Sequence, residues 1–109
     1  MEELIYLASP YSHRHSSVKM ERFHAVCKKA ADLMRSGLFV FSPIAHTHPI
    51  SLYDLPGDWE FWKEYDEIML KKCDKMLVLM LEGWETSKGV QAEVEFMQAA
   101  GKQVEYITP

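Results

Sequence analysis

No stretch of this chain approaches the roughly 20 consecutive apolar residues that span a bilayer, so no membrane helix is expected. Basic charge is scarce as well. Twelve Lys and Arg against sixteen Asp and Glu leave a formal net charge of −4 at pH 7. A long nucleic acid needs a concentrated basic surface, so a nucleic-acid polymer is not the expected partner. A mononucleotide stays open, because one local pocket can be positive on an acidic protein. Cysteine is nearly absent. Cys27 and Cys73 each fall in a helical pattern, and neither belongs to a C-x-x-C pair. They read as buried free thiols, with no disulfide framework, and a reducing cytoplasm fits. Glu2 and Glu3 stand where a signal peptide would be basic, so none is expected. There is no G-x-G-x-x-G and no P-loop, so neither a dinucleotide cofactor nor ATP hydrolysis is supported. No repeat, low-complexity tract or linker interrupts the chain.

What is present suffices for a core. Hydrophobic residues make up 48% of the 109 positions, which fits one ordinary domain over 1–109. Leu4 to Ala8 is a short apolar run, read as a buried strand. Residues 11–16 are a polar loop, and Ser16 or Ser17 can cap the helix that follows. In that helix Phe23, Val26, Cys27, Ala30, Ala31 and Met34 recur at helical spacing, and Gly37 stops it. Leu38 to Phe41 is a second strand. Residues 43–57, with three prolines and a glycine, are expected to form a long loop. Asp58 can cap a second helix striped with Trp59, Trp62, Tyr65, Met69 and Cys73. A strand over Lys75 to Leu81, a helix from about Ser87 to Ala100 and a strand over Gln103 to Ile107 complete the pattern. Strands alternating with helices imply a small, doubly wound α/β domain, with a mostly parallel sheet of four or five strands and helices on both faces. Ligands in such folds sit beyond the carboxyl ends of the strands. Those ends carry Ser9–Tyr11, Ser42–His48 and Gly83–Gly89.

Glu93 is the leading candidate for chemistry. It lies two turns into the last helix, at the edge of the stripe Val90, Val94 and Met97. The pattern leaves two readings open, an exposed flank glutamate or a partly buried carboxylate acting as nucleophile or base. Asp66 falls in register with Trp62, Met69 or Leu70, and Cys73, on the inward face of its helix. It reads either as a rim aspartate bonded to a loop or as an acid/base partner of Glu93. Ser87 and Gly89 at a helix start are a plausible phosphate seat, since free backbone N–H groups, a hydroxyl and close backbone approach all suit an anion. Ser9 and Tyr11 offer hydroxyls at the rim. His13, Arg14 and His15 make the first loop locally basic. His46 is expected to line a pocket; with His48 it forms a His-x-His pair, but no third ligand set with metal spacing is recognisable. No metal or other cofactor is therefore expected. Trp59 and Trp62 are either core or a stacking surface for a base.

Four places taken together resemble the nucleoside 2-deoxyribosyltransferase superfamily: Tyr6-Leu7-Ala8-Ser9-Pro10-Tyr11, Asp66 eight residues before Asp74, Ser87-x-Gly89-x-x-x-Glu93, and Gly101-Lys102. The resemblance covers nearly the whole chain. It implies that Glu93 is the nucleophile at the anomeric carbon. It also implies that Asp66 orients the sugar or protonates the leaving base, and that Tyr6 or Tyr11 lies near the sugar and the nucleophile. Transferases acting on free nucleosides carry an acidic residue shortly before the helix glycine. Thr86 and Ser87 stand there instead, which is similar to the branch that hydrolyses nucleoside 5′-monophosphates, where the serine holds the phosphate. From the residue pattern and the resemblance together, Ser9, Pro10, Tyr11, Arg14, His46, Ser87 and Gly89 are the expected substrate-binding residues. The chain departs from the deoxynucleotide hydrolases in its first loop, where Ser9-Pro10-Tyr11-Ser12 replaces their glycine- and arginine-containing phosphate loop. The segment Phe41 to Pro49 resembles a short bacterial and phage-type subgroup. The expectation is thus N-glycosidic hydrolysis of a nucleotide, with base exchange or nucleotide sensing as alternatives. The resemblance further implies a homodimer or higher homo-oligomer.

Overall fold

A computed structural model of the chain describes residues 2–56 and 58–109. The elements in order are β1 (Leu4–Ala8), α1 (Ser16–Arg35), β2 (Phe39–Phe41), α2 (Pro43–Ser51), α3 (Trp59–Lys72), β3 (Lys75–Leu79), a short 3-10 turn (Trp84–Thr86), α4 (Lys88–Ala99) and β4 (Gln103–Ile107). The strands form one four-stranded sheet in the order β2-β1-β3-β4, and every pairing is parallel. This is the expected doubly wound α/β arrangement. The chain winds from β1 out to β2, then returns past β1 to β3. The strand order therefore reverses between β1 and β3, where a crevice opens beyond the strand ends.

Alternation along the strands builds two cores. Ile5, Leu7, Leu77 and Leu79 face α1, packing on Val26 and Ala30. Tyr6, Ala8, Met76 and Val78 face α3 and α4, packing on Leu70, Cys73, Val90 and Met97. A strand side-chain period of two makes this division unavoidable once both faces are covered. Two polar devices fix the lower ends of the strands. Asp74 Oδ2 accepts from the Leu4 N–H at 2.8 Å, while the Asp74 N–H donates to the Leu4 carbonyl at 2.7 Å. Lys102 Nζ donates to the carbonyls of Leu70, Lys71 and Cys73 at the end of α3.

Three local expectations are corrected. Residues 43–51 are a helix, not the first part of a long loop. Ser42 caps it by accepting from the Ala45 N–H at 3.1 Å, and Pro43 takes the first helical position, where a missing N–H costs nothing. Pro49 falls in the last turn, so its lost bond ends the helix rather than breaking it. The cap of α1 is His15, which makes no side-chain cap bond; Ser16 and Ser17 are already inside the helix. Strand β3 ends at Leu79, because Leu81 N–H turns back to the Leu79 carbonyl and redirects the chain.

Candidate active site

The crevice holds a cavity of about 510 Å³. Glu93 and Asp66 lie on its wall, and each is almost wholly withdrawn from solvent, at 5% and 6% exposure. The exposed-flank and rim readings of these carboxyls are excluded by that burial. Glu93 reaches this position because Val90 and Met97, one turn before and after it, are pulled into the core with it. Asp66 is held inward by Leu70, four residues on.

Tyr6 stands behind Glu93. Its hydroxyl donates to Glu93 Oε2 at 2.5 Å, entirely within the core. Burial, then the charge on Glu93, keeps the Tyr6 phenol far above its ordinary pKa, so it holds its proton and acts as a donor. Burial raises Glu93 to about 8; the Tyr6 donor works against this and Asp66 adds to it. Burial alone raises Asp66 to about 7. Both carboxyls are thus pushed by burial toward their neutral forms, and the charge on Asp66 adds to the effect at Glu93. The Tyr6 hydrogen bond favours ionised Glu93 but does not outweigh its burial, so Glu93 stays above Asp66. Asp66 Oδ1 is buried with no hydrogen-bond partner, and so is the Ser9 hydroxyl on the same cavity. Buried polar atoms without partners are costly, and both belong to residues that line the cavity.

The start of α4 forms the cavity's second end. Ser87 Oγ accepts from the Val90 N–H at 3.3 Å. Its own proton remains available to the cavity. Gly89 lies under Trp59: a Cβ placed there would come 3.5 Å from the indole. Lys88 is paired with Glu60 at 3.1 Å on the surface. The opposite wall comes from Tyr11 and from α2, through Ile44, Thr47 and Ser51, which recur at i, i+3 and i+7 on one helix face.

The other sequence-derived candidates are placed as follows. Ser9, Tyr11, Ser87 and Gly89 line the cavity; Trp59 and Trp62 do too. Pro10 is buried behind the wall. Arg14 is exposed and is not part of the wall. His46 is also exposed and off the wall, its ring stacked against Tyr65 with centroids 6.1 Å apart. The reason is that α2 is helical: its inward face presents Thr47 and the buried His48, which turns His46 outward. Among the described residues no three His, Cys, Asp or Glu side chains gather as a metal site.

Arg22 is the cavity residue that motif reasoning missed. It projects from α1, donates to the Ser12 carbonyl at 3.0 Å and to the Glu82 carbonyl at 3.1 Å, and so ties together the loops after β1 and β3. Gly83 makes room for it, with a φ of 89° and a notional Cβ 2.9 Å from Arg22 Nη2. The sequence signal for Arg22 was weak, since a lone arginine on an amphipathic helix is ordinarily a solvated flank.

Fold and site thus define a doubly wound α/β protein with a Tyr-backed carboxyl pair at its switch point. The family model described as a domain of unknown function, DUF1937, matches residues 3–108, and the chain belongs to that family. A search of the curated proteins finds no match.

Proposed function

We propose that this protein is an N-glycosidase acting on a nucleoside 5′-monophosphate. The observation that carries the reading is the buried Tyr6–Glu93 hydrogen bond beside Asp66, on the wall of a cavity large enough for a nucleotide. In the reaction, a Glu93 oxygen forms a bond to C1′ as the C1′–N bond breaks. The electron pair leaves with the base, which takes a proton from Asp66 or from a water that Asp66 holds. Water then cleaves the glycosyl ester, giving its proton to the Asp66 carboxylate and releasing sugar 5-phosphate. Splitting one displacement into two steps is the gain from a carboxylate nucleophile, and the transition states carry oxocarbenium character. That developing positive charge favours ionised Glu93. The 5′-phosphate is assigned to the start of α4, where Ser87 and the backbone at Gly89 supply donors. The base is assigned to Trp59 and Trp62. The same ester gives base exchange when a second base outcompetes water.

Leu52 and Tyr53 support a homo-oligomer. Both are exposed and immediately follow Ser51 on the cavity wall, so a second copy docking there would cover them and close the rim.

A second reading, a nucleotide sensor without turnover, is favoured by one observation. Burial holds Glu93 mostly protonated at neutral pH, and a neutral carboxyl is a poor nucleophile. Base release from ribo- and deoxyribonucleoside 5′-monophosphates, followed by HPLC with Glu93→Ala alongside, separates the two. Release that vanishes in the variant supports the glycosidase. Binding without release selects the sensor, and release that survives in Glu93→Ala sinks the proposed mechanism.

A further inference from the structure

The most unusual polar contact outside the carboxyl pair joins Tyr11 to His48. The Tyr11 hydroxyl and His48 Nδ1 are 2.5 Å apart, with the rings edge to face at 5.5 Å. His48 is buried and stacked on Phe23, centroids 4.2 Å apart and planes 23° from parallel. It is therefore a fixed ring, not a mobile surface imidazole. Tyr11 in turn lines the cavity, next to the unpartnered Ser9 hydroxyl. A fixed nitrogen behind a cavity phenol determines which way the phenol proton points.

We infer that His48 is a positioning residue that makes the Tyr11 hydroxyl a hydrogen-bond acceptor for a sugar hydroxyl of the ligand. A neutral imidazole carries one N–H and one acceptor nitrogen. With Nδ1 as acceptor, Tyr11 donates its proton backwards and presents its lone pairs to the cavity. With Nδ1 protonated, the roles reverse: His48 occupies one Tyr11 lone pair and the phenol turns its proton to the cavity, presenting a donor where an acceptor stood. The neighbours of His48 set which state prevails. Lys19 and His24 of α1 face it, no carboxylate does so among the groups that shift it, and burial adds to their effect, so its pKa is lowered. Burial raises that of Tyr11, so the phenol keeps its proton. The Ser51 hydroxyl, which donates to the His48 carbonyl at 2.7 Å, also lies in hydrogen-bonding reach of the Tyr11 phenol and partly offsets the effect of its burial. The choice of a sugar hydroxyl rests on the glycosidase reading, in which the carboxyl pair takes C1′, the tryptophans the base and the start of α4 the phosphate.

The test has two arms. The first is nitrogen-15 NMR of the His48 ring at pH 7, which needs no turnover. An unprotonated Nδ1 with the proton on Nε2 is expected; a protonated Nδ1 overturns the inference. The second arm measures base release from adenosine and 2′-deoxyadenosine 5′-monophosphates. Tyr11→Phe is expected to raise KM about five- to tenfold with kcat within about twofold, the loss of one ground-state hydrogen bond. His48→Phe keeps the stack on Phe23 but lacks the acceptor, and is expected to match Tyr11→Phe. His48→Asn restores an acceptor near Nδ1 and is expected to recover most of the affinity. In the wild type KM is expected to rise as pH falls through the His48 pKa, and this dependence disappears in Tyr11→Phe. Base release with an unchanged KM in Tyr11→Phe overturns the inference and leaves the glycosidase reading standing. Absence of release with the expected tautomer overturns that reading alone.

Discussion

The two faces of the sheet are built from the same strands and do opposite things. On the α1 face, Ile5, Leu7, Leu77 and Leu79 pack into an apolar cluster with Val26, Ala30 and Leu81. On the α3 and α4 face, the equally buried Tyr6 meets Glu93 and lies within the field of Asp66. A one-residue step along β1 passes from a site of pure packing to one of buried ionisation. The lesson is that the second face holds groups the fold alone has no use for. Burying two carboxyls opposes stability, whereas the hydrocarbon of the first face supplies it.

Glu93→Ala on the polar face should have the largest consequence. Under the proposed mechanism, removing this carboxyl is expected to lower base release at least about 10³-fold, while the protein stays folded by circular dichroism. Leu79→Ala on the apolar face should do the reverse. A fully buried leucine truncated in a packed core costs about 2–5 kcal/mol. The loss reads out as a lower urea midpoint, with the remaining folded fraction retaining its kcat. Equal effects on stability from both variants would erase the distinction between the faces.

Asp66→Asn sharpens the comparison through pH. The folded pKa values, about 7 for Asp66 and about 8 for Glu93, lie above the ordinary 3.8 and 4.5. The folded state therefore keeps protons that the unfolded chain has already released. The stability linked to those protons is complete below the ordinary values and is lost as pH rises through 7 and 8. Asp66→Asn removes part of that loss. Its advantage over the wild type is expected to be about 1–3 kcal/mol larger at pH 8.5 than at pH 5, by urea unfolding at both. A gain that is the same at both pH values would mean that Asp66 is not held neutral by burial.

Much of the fold was readable from the sequence, and the reasons are local. Strand runs such as Leu4–Ala8 and helix stripes such as Val90, Val94 and Met97 announce their own period. The capping of α3 by Asp58 and of α4 by Ser87 follows from residue type, and the structure has both bonds. Helix α2 was not readable as such, because proline counts as a breaker until Ser42 is seen to cap and Pro43 to sit in the first turn. The helix is also what turns His46 outward and buries His48, an exchange that a loop reading of the segment does not contain. Glu93 and Asp66 were readable as candidates only; their depth depends on how α3 and α4 pack, which no local pattern encodes. Two of the four places of resemblance prove to have structural uses: Asp74 fastens β1, and Lys102 caps α3.

The smallest expected effect comes from Gly89→Ala, and it separates fold from site within one residue. Gly89 is the second residue of α4, and the space above it ends at the Trp59 ring, 3.5 Å from a notional Cβ. That distance is ordinary van der Waals contact, so the methyl fits the empty protein. Alanine is also the better helix former by up to about 1 kcal/mol. On folding grounds alone the change is neutral or slightly stabilising. The methyl does, however, stand where the backbone would approach a phosphate. Gly89→Ala is therefore expected to keep or raise the urea midpoint while raising KM for a nucleoside 5′-monophosphate several-fold. The corresponding free nucleoside, which lacks the phosphate, should be processed as by the wild type. A KM that rises equally for nucleotide and nucleoside would place the base or sugar at the start of α4 instead, and would move the phosphate toward Arg22.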